Sequence, residues 1–237
     1  MSEWWTYRLG SFLLFSARTY DGLVERYNAD VWPMQWLAVG AGLAALTFNE
    51  RARSALFARI AAAVLSGAWF WVAWSFQYRR FMTINWAAEY VAWAFAVEGA
   101  ALFWIGVILG RIGYRPDASS VRIAGAADVG LASAGHGAVG QAIVLFALLG
   151  YPLIAVMSGR PWAQAEVFGV MPDPTAIATV GFLLLAHPTL GWLIVIPVLY
   201  CAIAGAMLWA LHVPTAGIAP LIAVIALGCV WQRRGTA

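Results

Sequence analysis

The stretch FQYRRFMTINWAAEYVAWAFAVEGAALFWIG, residues Phe76–Gly106, decides the class of the fold. It is apolar and rich in tryptophan, yet it contains two arginines, one asparagine and two glutamates. Glu98 lies about twelve residues from either end of a predicted helix over 86–110, or about 18 Å at 1.5 Å per residue. Because a membrane core is about 30 Å thick, this carboxyl is expected near its middle. A charge at that depth costs at least about 3 kcal/mol, so Glu98 should be directed into a helix bundle.

The composition of the whole chain excludes a soluble globular protein. Of its 237 residues, 63% are hydrophobic and only 11% are charged, whereas a soluble domain has about 25% charged residues. The net charge of +3 comes from arginines in short polar segments, which favours contact with lipid headgroups over nucleic-acid binding. The predicted surroundings are therefore a lipid bilayer.

Apolar periodicity predicts an all-α fold, a polytopic transmembrane helix bundle with about seven spans. The bundle covers 31–231 and is followed by a C-terminal tail, 232–237. The predicted spans are 31–48, 58–76, 86–110, 137–157, 174–186, 191–211 and 215–231. A spanning helix needs about 20 residues, so the fifth and seventh spans are short. A re-entrant course stays open for both of them.

The N-terminal segment, 1–30, is predicted to lie in the membrane interface, with an amphipathic helix over Ser16–Asp30. Tyr20, Leu23, Val24 and Tyr27 recur at helical spacing with charged residues between them, as in interfacial helices. Two alternatives to an interfacial role stay open: the helix caps the bundle, or it binds a partner. Eight arginines on one predicted side against six on the other favour an outside N-terminus and a cytoplasmic C-terminus.

A polar cluster is predicted at the membrane boundary between the second and third spans. Arg79 and Arg80 lie in the connecting turn, and Asn85 and Glu89 lie one helical turn apart on one face. Glu89 precedes Glu98 by nine residues, so the two carboxyls project from opposite faces of the helix. We expect an arginine to bond Glu89; in the alternative, Asn85 and Glu89 line the mouth of a gate or substrate site.

A second informative stretch is FGVMPDPTAIATVGFLLLAHPTLGWL, residues Phe168–Leu193. It predicts a helix that begins at Pro174 with the Asp173 side chain as its N-cap, and that places Thr175 and Thr179 on one face. A helix that starts below the membrane surface directs its positive end at a ligand. Asp173 at that end makes a cation or a neutral ligand as plausible as an anion. The alternative is an ordinary capped helix in a thin part of the bundle.

The histidines do not predict a metal centre. The predicted topology places His136 and His187 on one side and His212 on the other, whereas a three-histidine zinc site needs its ligands together. A site made by His136, His187 and Asp128 stays open. The sequence identifies no cofactor, and it contains no serine–histidine or HExxH signature of an enzyme.

Four segments carry a resemblance to a known family: the tryptophan-rich N-terminus, RRFMTINWAAEYVAWAF, LLGYPL and PDPTAIATVGFLLL. Over nearly its whole length the chain resembles an uncharacterised family of bacterial multi-pass membrane proteins, defined as a domain of unknown function. The resemblance implies a bacterial inner-membrane protein and brings no activity or catalytic residue. The Pro-x-Pro-Thr motif of that family often has cysteine at the x position; here Asp173 replaces it, which disfavours thiol-based metal chemistry.

Three hypotheses for function follow. The first is a small transporter or channel-like permease for an ion or small polar solute. Glu98 would coordinate the substrate, Gln141 of the fourth span would bond Glu98, and Asp173, Thr175 and Thr179 would supply further polar ligands. The second is a non-catalytic accessory subunit of a larger membrane complex, with a homo-oligomer as a further form of association. The third is an intramembrane enzyme. A polar cavity that reaches Glu98 would favour the permease, and a closed interior with a broad aromatic external patch would favour the accessory subunit.

Overall fold

The computed structural model describes residues 15–51, 55–112, 137–186 and 192–235, and every regular element in these ranges is helical. Three helices include π-helical segments: Ala55–Trp71 continues as Val72–Tyr78, Ala88–Leu102 continues as Phe103–Ile108, and Gly137–Met157 contains Phe146–Gly150. Residues 1–14, Asp128, His136 and His187 lie outside the described part. The helices are α1 (Ala17–Asp30), α2 (Met34–Arg51), α3 (Ala55–Trp71), α4 (Ala88–Leu102), α5 (Gly137–Met157), α6 (Pro172–Leu185), α7 (Val195–Ala210) and α8 (Ile218–Gly235).

Four helical stretches of the described part are long and apolar enough to cross a membrane. They are Ala55–Thr83, Ala88–Ile108, Gly137–Met157 and Trp192–Ala210. The chain is therefore an integral membrane protein built from helices. Helices α2, α6 and α8 contain shorter apolar stretches, and a full crossing by each of them stays a prediction.

Helix α6 lies at the centre of the bundle. Every residue from Pro172 to Leu184 is buried, and α6 packs against α3, α5, α7 and α8. The contact with α5 is a backbone contact, because a Cβ atom added to Gly181 would lie 2.8 Å from the carbonyl oxygen of Gly140. Small residues let helices approach this closely where lipid provides no hydrophobic drive for association.

Helix α1 packs on the segment 158–171, which joins α5 to α6. Tyr20, Leu23, Val24 and Tyr27 are its buried residues. At its end, the Asn28 side-chain amide donates to the carbonyl oxygens of Ala163 and Ala165, at 2.9 and 2.8 Å. Side chains of α1 thereby come to lie beside the start of α6.

The segment before α6 runs into the protein interior. Residues 165–171 are all buried, and Gly169 adopts a φ of +72°, which favours glycine. The Thr175 hydroxyl accepts from the amide of Gly169 at 2.8 Å and donates to the carbonyl oxygen of Met171 at 2.6 Å. The predicted cap is therefore wrong: α6 begins at Pro172, Met171 is its N-cap residue without a side-chain cap, and Asp173 lies inside the first turn.

The predicted bond between an arginine and Glu89 is also wrong. Arg80 instead pairs with Asp30 at the end of α1, at 2.7 Å, and Glu89 is exposed in the first turn of α4. Asn85 accepts from the amide of Ala87 at 3.1 Å. The four boundary residues do not form the expected cluster, because α1 brings its own carboxylate to the arginine.

Candidate functional site

The buried carboxylate of Asp173 is held by two tyrosines. Asp173 is only 2% exposed. Its Oδ2 accepts from the Tyr151 hydroxyl at 2.9 Å, and its Oδ1 accepts from the Tyr200 hydroxyl at 2.7 Å. The carboxylate also lies at the positive end of α6, where a negative charge gains about 0.3–1 kcal/mol, or up to about 2 kcal/mol when partly buried. Since this residue already neutralises the helix end, an anion site there is disfavoured.

The two tyrosines place Asp173 below the ends of the surrounding helices. Tyr151 precedes the end of α5 at Met157 by about 9 Å, and Tyr200 precedes the end of α7 at Ala210 by about 15 Å, at 1.5 Å per residue. Both hydroxyls reach the same carboxylate. Helix α6 therefore starts inside the bundle, which matches the geometry of a discontinuous helix.

Glu166 is a second buried carboxyl beside Asp173. It is 5% exposed, and its Oε1 lies 3.5 Å from the Tyr20 hydroxyl, at the limit for a hydrogen bond. Its Oε2 has no hydrogen-bond partner within the described residues. Burial, together with the negative charge of Asp173, raises the pKa of Glu166 to about 8, against a smaller opposing effect of the Arg160 guanidinium. Burial and the charge of Asp173 therefore both favour the protonated form of Glu166.

A small cavity with both polar and apolar lining lies at this end of the bundle. Its volume is about 40 Å³, which is enough for one or a few water molecules and too small for a metabolite. Arg160 and Asp21 line it and form an ion pair at 3.0 Å, with side chains that are about a quarter exposed. The other polar lining residues are Tyr20, Tyr151, Glu166 and Thr215. The partly exposed ion pair of Arg160 and Asp21 and the buried carboxyl of Glu166 therefore line the same cavity.

Glu98 lies in α4 and does not line this cavity, so the cavity does not reach Glu98 as the permease hypothesis expected. It is 1% exposed and faces the bundle interior. Its Oε1 has no hydrogen-bond partner in the described part of the chain, so the predicted bond from Gln141 is not made at this oxygen. Phe95 lies one helical turn before Glu98, and its ring makes an edge contact with Tyr200 at 4.9 Å between centroids. Tyr200 thus contacts both the Asp173 carboxylate, through its hydroxyl, and the helical turn that carries Glu98, through its ring.

The two threonines of α6 have structural contacts. The Thr179 hydroxyl accepts from the Trp69 indole at 2.8 Å and donates to the carbonyl oxygen of Thr175 at 2.8 Å. The Thr175 hydroxyl is used in the turn before α6, as described above. Of the sequence-predicted ligands, α6 brings together Asp173, Thr175 and Thr179, but none of them lines the cavity.

Sequence reasoning missed the residues that surround the cavity. Glu166 and Arg160 follow the fourth predicted span, 137–157, and no motif in the sequence marks them, while Tyr151 appears only within the segment LLGYPL. A signal was present for Glu166, because it is the only charged residue between Arg160 and Asp173. A lone acid that precedes a predicted half-helix is a candidate for the same site.

No cluster of three or more potential metal ligands from histidine, cysteine, aspartate and glutamate occurs within the described ranges. The sequence comparisons agree with the resemblance noted above: the model of a family described as a family of unknown function (DUF6064) matches residues 19–237. No match was found among curated proteins or among solved structures.

Proposed function

We propose that this chain, which belongs to the family of unknown function DUF6064, is a small proton-conducting permease in which Glu166 takes up a proton from the cavity. One observation carries the proposal. Glu166 is a buried carboxyl, one of its oxygens has no hydrogen-bond partner within the described residues, and it lines a water-sized cavity that a partly exposed ion pair also lines. Buried ionisable groups in membrane proteins are costly, and they commonly mark proton or ion pathways.

Further protonatable groups lie deeper than Glu166. Asp173 with its two tyrosines comes next, and Tyr200 reaches from α7 towards the turn of α4 that carries Glu98. In the proposal, Glu98 is the acceptor near the middle of the membrane, and Gln141 is retained as a candidate partner on α5. Buried carboxyls at Glu166 and Glu98 support the proposal of a proton relay.

The proposal includes the location and orientation inferred from the sequence. The protein would reside in a bacterial inner membrane with its N-terminus outside. Helix α1 and the cavity would then face the outside, because Tyr20 and Asp21 of α1 line that cavity. Proton uptake would occur on the side with the higher proton concentration in respiring cells.

A proton flux assay tests this function. Liposomes with the purified protein and a trapped pH-sensitive dye receive a potassium gradient, and valinomycin sets an inside-negative potential. We expect internal acidification well above that of protein-free liposomes. Glu166→Gln and Glu98→Gln should each reduce it at least tenfold, whereas Glu25→Gln, a change at an exposed position of α1, should leave it unchanged. Wild-type flux equal to that of empty liposomes, or full flux in Glu166→Gln, would overturn the proposal.

An accessory subunit is the second candidate, because one face of α4 is aromatic and exposed. Trp86, Tyr90, Trp93 and Trp104 are all more than half exposed. An aromatic belt explains residues near the helix ends, but Trp93 lies about 7 Å inside the start of α4 at 1.5 Å per residue. Purification in mild detergent distinguishes the candidates: a stoichiometric membrane partner together with absent flux would favour the accessory subunit.

A further inference from the structure

We infer that the cavity beside Glu166 is a binding site for a small monovalent cation of the alkali-metal type, which takes the place of the Glu166 proton. This inference rests on the proposed function for its place in transport, because proton and cation would then be exchanged at one carboxylate. The binding itself can be tested without transport.

The carboxylate oxygens that the site has available favour a monovalent cation. Both oxygens of Asp173 accept tyrosine hydroxyls, and Asp21 is paired with Arg160. Glu166 Oε2 is the carboxylate oxygen of this group that is buried without a partner in the described part of the chain. When Glu166 loses its proton, the site gains one negative charge in addition to that of Asp173, which the tyrosine hydroxyls bond but do not neutralise, and one carboxylate oxygen becomes available to a cation. A divalent cation such as calcium would need six to eight oxygen ligands, including several carboxylates.

The atoms around the cavity suit a hard cation. The polar groups of the lining apart from Arg160 carry oxygen: two tyrosine hydroxyls, two carboxyls and one threonine hydroxyl, from Tyr20, Tyr151, Asp21, Glu166 and Thr215. Oxygen is the ligand atom that hard cations prefer. The guanidinium of Arg160 is the one opposing charge, and its bond to Asp21 at 3.0 Å makes that pair neutral overall.

The size of the cavity limits the ligand. About 40 Å³ accommodates a few water molecules, or an ion with part of its hydration shell. Organic cations such as N-methyl-D-glucamine are too large. The remaining lining is apolar and comes from α1, α5 and α7 and from the segment that follows α7, so a bound ion would be shielded from bulk water on those sides.

The test is cation-dependent thermal stability of the purified protein in detergent. Lithium, sodium or potassium chloride is titrated against N-methyl-D-glucamine chloride at constant ionic strength, at pH 9 and at pH 6. We expect a saturable rise in Tm with at least one alkali cation. A proton should compete with the cation for Glu166, whose pKa is about 8. The apparent Kd for the cation should therefore be about a hundredfold weaker at pH 6 than at pH 9.

Two variants make the test specific. Glu166→Gln keeps the shape of the side chain and mimics its neutral form, so it should fold and lose the cation response. Glu25→Gln should keep the response. A cation effect that is absent, independent of pH or retained in Glu166→Gln would overturn the inference. Proton flux without cation binding would contradict this inference alone, and pH-competitive binding without flux would contradict only the proposed permease.

Discussion

Replacing Tyr200 by phenylalanine tests whether Asp173 is held as a buried anion. The change removes one hydroxyl that donates to Oδ1 at 2.7 Å, while the ring stays available for its contact with Phe95. A hydrogen bond to a charged group contributes about 1.5–3 kcal/mol, against about 0.5–1.5 kcal/mol for a bond between neutral groups. We expect Tyr200→Phe to lower the free energy of unfolding by about 2 kcal/mol. Tyr151→Phe, which removes the longer bond of 2.9 Å, should have a similar or smaller effect.

The assay is reversible unfolding in mixed micelles, with increasing mole fractions of SDS and helical circular dichroism as the signal. Tyr90→Phe is the matched control, because Tyr90 is 67% exposed and surface changes usually stay within about 0.5 kcal/mol. If Tyr200→Phe changes the unfolding free energy no more than Tyr90→Phe does, the hydrogen bond from Tyr200 to Asp173 does not stabilise the fold. A loss of less than about 1 kcal/mol would indicate that Asp173 is neutral.

Three further predictions concern other contacts. Gly181→Ala should destabilise the protein by about 1–3 kcal/mol, because its new methyl group would meet the backbone of α5. Gly67→Ala is the matched control: Gly67 has open space around it, so the change should stabilise the protein by about 0.5–1 kcal/mol. Thermal melts compare the two variants. Arg80→Ala should cost at most about 1 kcal/mol in the same melts, since its pair with Asp30 is exposed. Burial raises the pKa of Glu166 from 4.5 to about 8, so the native state holds a proton that the unfolded chain releases; stability should fall as pH rises between these values, and Glu166→Gln should flatten that profile.

The helical bundle could be predicted because long apolar runs leave few other structures in a membrane. The stretch 137–157 is a helix with the predicted bounds, Gly137–Met157. The short helix after Phe168 was also expected, since Pro174 favours the first turn of a helix. Its cap was not predictable from local sequence, because the helix begins two residues earlier than the motif suggested. Asp173 is then past the cap position and is free to accept from distant tyrosines.

The candidate site depends on contacts between residues that are far apart in the chain. Tyr20 and Glu166 are separated by 146 positions, and no local periodicity encodes their contact. The same cause explains the error at Arg80, whose partner Asp30 lies on a helix that the sequence could not position. Glu98 could be identified early because its depth follows from counting residues along one helix. Its partners require the packing of other helices, which counting does not provide.

The protonation state of Glu166 is the most direct test of the central claim that a buried carboxyl beside the cavity exchanges a proton with solvent. Infrared difference spectroscopy of the protein in lipid, recorded as pH is stepped from 6 to 10, resolves the carbonyl band of a protonated carboxylic acid. We expect a component of this band to disappear with a midpoint near pH 8, as the pKa of Glu166 requires, and we expect that component to be absent in Glu166→Gln and present in Glu25→Gln. A component that persists unchanged in Glu166→Gln, or no titration between pH 6 and 10, would contradict the claim.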